Sequence, residues 1–139
     1  MGLYNEIAAV TIIRLFLGFL FFLQGYDKFF RVGMRNVITA FKEPLMAHRI
    51  PGFAIALAAW YTSLAELIGG LFLIIGFMKN IALYCLGIDL IMVCVAFGII
   101  KPMWNMEHVF PRLVLLTAML VMPDAWDVLT LEELIKYFR

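Results

Sequence analysis

Arg14, Glu66 and Asp89 each stand in the interior of an otherwise apolar run of this chain. A charged side chain at the centre of a membrane-spanning helix costs about 2.5–3.5 kcal/mol on insertion scales, so such groups turn inward and find partners. Counted at about 1.5 Å per residue from the side where the N-terminus enters, Arg14 lies about 10 Å deep, Asp89 about 12 Å and Glu66 about 16 Å. One base and two acids at similar height predict a buried cluster in which Arg14 pairs with one carboxylate or bridges both. A surplus negative charge remains, so one carboxyl holds a proton or binds something positive. The chemistry such a cluster offers is proton exchange with a ligand whose oxygen Arg14 orients. The competing reading is structural: the charges fix helix register in a bundle with no hydrophobic drive to assemble.

Small residues share the faces of these charges. Arg14, Gly18, Phe21, Gly25 and Lys28 form one helical stripe; Ala58, Thr62, Glu66, Gly69 and Gly70 form a second; Ala82, Cys85, Asp89 and Ala96 form a third. Small residues let helix backbones approach closely in lipid. Lys28, Gly18, Gly25, Gly69 and Gly70 are therefore the supporting residues of the expected site.

The elements that must carry these stripes follow from composition. The chain has 139 residues, 65% of them hydrophobic and 15% charged, where soluble domains carry about 45–50% apolar and about 25% charged residues. A soluble fold of this size could not hide so much apolar surface. A net charge of +1 gives no electrostatic footprint for nucleic acid. Four runs approach the roughly 20 apolar residues a spanning helix needs, at about residues 7–30, 53–77, 81–100 and 105–122. Short polar breaks such as Met78-Lys79-Asn80 predict antiparallel neighbours. The expected fold is thus all-α: an integral membrane four-helix up-down bundle in one domain. Met1–Glu6 lacks Lys and Arg and Arg14 breaks the next run, so no signal peptide is expected.

Between the first two runs, Arg35, Lys42 and Arg49 recur every seven residues opposite Ile38, Phe41 and Leu45. This predicts an interfacial helix, kinked by Pro44 and ended by Pro51-Gly52, against the alternative of a solvated loop. Thr130 and Glu133 form a capping box opening an amphipathic helix at 130–138. Lys28, Arg31, Arg35, Lys42, Arg49 and Lys101 lie on one side, with Arg112 just inside the fourth run, and only Lys79, Lys136 and Arg139 on the other; both termini are expected outside.

Other chemistry-bearing residues are weaker candidates. Cys85 and Cys94 are nine apart on one helix, about 13 Å along it and on opposite faces, so they cannot form a disulfide and read as packing residues. His48 and His108 have no metal-ligand spacing, and no metal site is expected. Trp60, Trp104 and Trp126 fall near span ends, where aromatic belts sit.

The same residues carry a family resemblance. Arg14-Leu15, Leu17-Gly18, Gly25 and Lys28-Phe29 resemble the opening of the DoxX family, and Glu66-Leu67-Ile68-Gly69-Gly70-Leu71 with Gly76-Phe77 is similar to its E-x-x-G-G-x-x-L-x-x-G segment. Ile50-Pro51-Gly52 and the surroundings of His108 fit as well. The resemblance spans about residues 10–128. It implies a four-helix membrane protein, some of whose relatives are named for a thiosulfate:quinone oxidoreductase and others tied to membrane redox or thiol-stress complexes. Where the family often shows a Gly-rich stretch ending in Ser-x-Asp, this chain has Pro123-Asp124-Ala125-Trp126-Asp127.

Together these readings predict a multi-pass protein of a bacterial cytoplasmic membrane, a redox-associated or accessory subunit holding a small apolar or quinone-like ligand beside Arg14, Glu66 and Asp89. Any catalysis would be that of a quinone-linked oxidoreductase subunit. The expected partners are the bilayer and other membrane or redox proteins, with homo-oligomerisation open. The alternatives are a proton-coupled small-solute transporter and an assembly partner without activity of its own.

Overall fold

The computed structural model describes residues 2–100 and 106–138, all of whose regular structure is helical. The expected start of the fourth run at residue 105, and with it Lys101, Trp104 and Arg139, lies outside the described residues.

The first apolar run is α1 (Gly2–Tyr26), continued without a break by a π-helical stretch, Asp27–Val32. α2 (Met34–Met46) follows after Gly33. The second run is one rod in three parts: α3 (Gly52–Leu64), a π-helical stretch Ala65–Gly69, and α4 (Gly70–Ile75). α5 is Lys79–Ile100, α6 is Phe110–Val121 and α7 is Leu131–Tyr137. Among the described residues, three helices are long and apolar enough to cross a membrane: Gly2–Val32, Gly52–Ile75 and Lys79–Ile100. α6 has 12 residues, about 18 Å of rise against a hydrocarbon core of about 30 Å.

Ile12, Phe16, Phe19 and Leu23 on α1 and Tyr84, Ile88, Ile91 and Val95 on α5 point outward and are exposed, while Leu17, Phe21, Leu73, Leu83 and Leu86 are fully buried. Exposed apolar faces of this extent need lipid as their solvent. The chain is an integral membrane protein.

Glycines set how the rods meet. A Cβ on Gly25 would stand 2.4 Å from the Leu67 nitrogen, and one on Gly70 would stand 2.4 Å from the Phe22 nitrogen and 2.8 Å from the Gly18 oxygen. α1 and the second rod are therefore in backbone contact, running antiparallel, since rising positions on α1 meet falling positions on its partner. α5 also runs against the second rod, with the Tyr61 hydroxyl donating to the Cys85 carbonyl at 3.0 Å and Leu86 lying over Gly69.

α2 packs against α3 and α5. Val37 and Leu45 are buried, the Phe41 ring meets Phe97 edge-on at 6.3 Å, and Arg35, Lys42 and Arg49 are exposed. The helix passes through Pro44 and stops at Met46, so Pro51-Gly52 is not its terminator. Arg49 adopts a left-handed conformation (φ 63°), and the Ile50 amide reaches back to the Leu45 carbonyl. Pro51 instead starts α3, its carbonyl accepting from the Ala54 and Ile55 amides.

Candidate functional site

Two polar clusters lie inside the protein at different heights along α1. In the first, Arg14, 2% exposed, donates from Nε to Asp127 Oδ1 at 3.0 Å, from Nη1 to the carbonyls of Leu73 (2.7 Å) and Ile74 (3.1 Å), and from Nη2 to the Leu129 carbonyl at 2.6 Å. Leu73 and Ile74 lie in the last turn of α4, where carbonyls are under-used, Leu73 accepting from the Gly76 amide at 3.3 Å, and the helix dipole is negative. Arg14 thus clamps the end of the second rod to the segment leading into α7. Gly76 fits beneath it with φ 67°, where a Cβ would lie 2.7 Å from the Thr130 Cβ. Thr130 caps α7, its hydroxyl accepting from the Glu133 amide.

The expected Arg14–Glu66–Asp89 cluster is therefore corrected: Arg14 is bonded to a different carboxylate. The cause is register. The Gly25–Leu67 contact brings the residues just beyond Gly25 opposite Glu66, and Arg14 lies eleven positions back, about 16 Å away along the helix.

A cleft of about 350 Å³ opens beside the clamp, but its charges already answer one another. Lys79 bridges Asp124 at 2.6 Å and Asp127 at 3.4 Å, Lys136 pairs with Glu133 at 2.6 Å, and Glu132 accepts the Met78 amide. The hydrogen bond from Lys79 and its charge hold the Asp124 carboxyl below the usual carboxylate range. A lowered pKa contributes stability that is present above the ordinary carboxylate value and lost as pH falls through the lowered one. With the Asp124 side chain 73% exposed, this contribution is under about 1 kcal/mol. Asp124→Asn should lower Tm slightly at neutral pH, and the gap to the parent should close in acid. A gap that stays constant across the titration would contradict the pairing.

The second cluster contains the carboxyls singled out from the sequence. Lys28 Nζ lies 2.7 Å from Glu66 Oε2, with side chains 18% and 1% exposed. Both residues stand in π-helical stretches, Lys28 in Asp27–Val32 and Glu66 in Ala65–Gly69. Such stretches are rare and frequently occur at functional sites. Ser63, three residues before Glu66 on the same buried face, is fully buried, and its hydroxyl has no partner among the described residues.

Asp89 is fully buried on α5, and neither of its carboxylate oxygens has a hydrogen-bond partner among the described residues. An ionised carboxylate so placed costs several kcal/mol unless compensated. Glu66, Lys28 and Arg112 lie within Coulombic reach of it. Arg112, from α6, is half-buried with its guanidinium over the Phe21 ring at 5.9 Å. The cluster therefore holds two acids and two bases where the sequence suggested one base and a surplus negative charge.

An apolar pocket of about 70 Å³ reaches this cluster from under α2, lined by Phe41, Leu45, Ala58, Thr62, Ala96 and, on its wall, Lys28. Thr62 lies one helical turn from Glu66, and Met92 and Val93, also in the lining, lie one turn from Asp89. The pocket thus ends where the polar cluster begins.

The DoxX family profile matches residues 9–99, which hold Arg14, Lys28, Glu66, Asp89, both π-helical stretches and α2. The chain belongs to the DoxX family. No curated protein matches it, and no solved structure does either. In this DoxX chain the Lys28–Glu66 pair and Asp89 lie wholly within the matched stretch, whereas Asp127, Lys79's partner Asp124 and Arg112 come from the chain beyond it. The second cluster is the candidate site.

Sequence reasoning missed Asp127 and the site role of Arg112. Asp127 stood out only as the end of an atypical segment, and Arg112 only as one more basic residue on the loop side. Of the remaining candidates, Cys94 Sγ contacts Met106 Sδ at 3.4 Å, His48 and His108 are exposed, Trp60 packs on Phe29, and Trp126 packs against the core.

Proposed function

We propose that this DoxX-family chain is a redox-associated subunit of a bacterial cytoplasmic membrane that holds a small quinone-like ligand beside Lys28, Glu66 and Asp89. The observation that carries this reading is Asp89: a wholly buried carboxyl without a hydrogen-bond donor among the described residues, beside an ion pair and one turn from an apolar pocket. The Lys28 ammonium is ion-paired with Glu66 at 2.7 Å and carries three N–H donors, so it has donors to offer a ligand oxygen. Quinone chemistry takes up and releases protons, which a carboxyl freed of other partners can exchange. The donor set fits such a ring head. The pocket at about 70 Å³ does not, since a cavity that takes benzene measures about 150 Å³.

The reading includes α6 as the fourth helix of an up-down bundle. Supporting it, Leu116 lies against Gly87 and Met106 against Gly98, so α6 runs antiparallel to α5, and Arg112 turns toward the interior carboxyls.

Titration of the purified protein in nanodiscs with a short-tailed benzoquinone tests this. Glu66→Gln and Asp89→Asn should each weaken binding at least tenfold. Equal affinity in the parent and both variants removes the carboxyls from the site. Proton flux across liposomes that vanishes in Asp89→Asn, with no quinone binding, would favour proton-coupled transport instead. Neither binding nor flux, with a co-purifying oxidoreductase, would favour an assembly role.

A further inference from the structure

We propose that α2 is the movable roof of this site and lifts to admit, sideways from the membrane, an amphiphile with a planar ring head and an apolar tail; the inference rests on the quinone-like reading above. The pocket as it stands is about half the size a ring needs, so a wall must move.

α3 and α5 are poor candidates for that wall. The Tyr61 hydroxyl ties them together at Cys85, and the backbone contact of Gly25 with Leu67 fixes the second rod on α1 beside the Lys28–Glu66 pair. α2 is held differently. Among the described residues no ion pair and no side-chain hydrogen bond joins it to α3 or α5; Asn36 and Thr39 bond only to the carbonyls of Val32 and Arg35, four residues back in each case. What holds α2 down is apolar packing: Val37, Leu45 and the Phe41 ring against Phe97.

Both ends of α2 carry a pivot. Gly33, directly before α2, has φ 82°, and Arg49, three residues after it, has φ 63°, so a positive-φ residue flanks the helix on each side, the kind of position that absorbs backbone rotation when an element swings. The exposed Arg35, Lys42 and Arg49 keep the outer face in the headgroup plane while the inner face parts from Ala58 and Ala96. Alanines at those positions leave space for a flat ring once Phe41 and Leu45 withdraw, and the Lys28 ammonium waits at the inner end for its oxygen.

The test bridges the roof to its support. In a Cys85→Ser/Cys94→Ser background, Phe41→Cys and Phe97→Cys are joined by a reducible bis-thiosulfonate linker, and association of a short-tailed benzoquinone is followed in nanodiscs. Bridging should slow association more than tenfold, and reduction in the same sample should restore it. Association at an unchanged rate in the bridged protein overturns the roof while leaving the ligand reading intact. No binding before bridging overturns both. Leu45→Ala supplies an independent check that needs no linker: a loosened roof should speed association at least threefold, and an unchanged rate contradicts the proposal.

Discussion

Arg14→Leu should destabilise the folded protein by about 3–5 kcal/mol, because it leaves Asp127 buried and charged with only the longer 3.4 Å contact to Lys79. On the usual relation for domains of this size, that lowers Tm by roughly 10 °C or more. Thermal unfolding in detergent reads the loss directly. Asp127→Leu in the same chain should recover part of it, since replacing both members of a buried pair by apolar groups is often near neutral. Recovery stays incomplete because the carbonyls of Leu73, Ile74 and Leu129 still lose their donor. The folded variant should bind ligand within about threefold of the parent. If Arg14 belonged with Glu66 and Asp89, ligand affinity would collapse and Asp127→Leu would bring no recovery.

Gly25→Ala should have an effect of the same order by another route. The new methyl group would lie 2.4 Å from the Leu67 nitrogen, 2.7 Å from its Cα and 2.9 Å from its Cβ. Two of these atoms are backbone, so no rotamer change relieves the overlap and the rods must separate. Overpacking of this kind costs about 1–3 kcal/mol, occasionally more. The consequence reaches the site, because Lys28 is three residues beyond Gly25 and Glu66 adjoins Leu67. Separating the rods stretches the 2.7 Å ion pair, so ligand affinity should fall at least tenfold along with Tm. Gly87→Ala is the control: its Cβ would meet only a Leu116 methyl at 3.8 Å, and removing a mid-helix glycine should gain up to about 1 kcal/mol. Equal effects of the two substitutions would contradict the account of how α1 is seated.

How much of this can be read from residues alone depends on the level. The stripe Arg14, Gly18, Phe21 and Gly25 is visible because a charge and two glycines fall at helical spacing on one side of an otherwise large apolar helix, and those four are buried. The inward apolar face of α2 and the Thr130–Glu133 cap are local patterns and are equally visible. The pairing of the charges is not. Depth counted from helix ends assumes that every helix starts level, whereas α1 begins at Gly2 and its height against the second rod is set by contacts at Gly18, Gly25 and Gly70. A shift of this kind puts Lys28 where Arg14 was expected. The π-helical stretches add to the error, since a fifth residue in the turn rotates Lys28 and Glu66 relative to an α-helical count and leaves no mark in hydrophobic periodicity. Asp127 could be found only through the fold, 113 positions from Arg14 in sequence.

The central claim is that Asp89, beside Lys28 and Glu66, is the carboxyl that answers the ligand. Infrared difference spectra of the reconstituted protein, recorded as a short-tailed benzoquinone is added, address it most directly. A carboxyl-stretch difference band should appear in the parent, persist in Asp124→Asn and disappear in Asp89→Asn. A band that survives Asp89→Asn, with quinone bound as tightly as before, would move the chemistry elsewhere in the molecule.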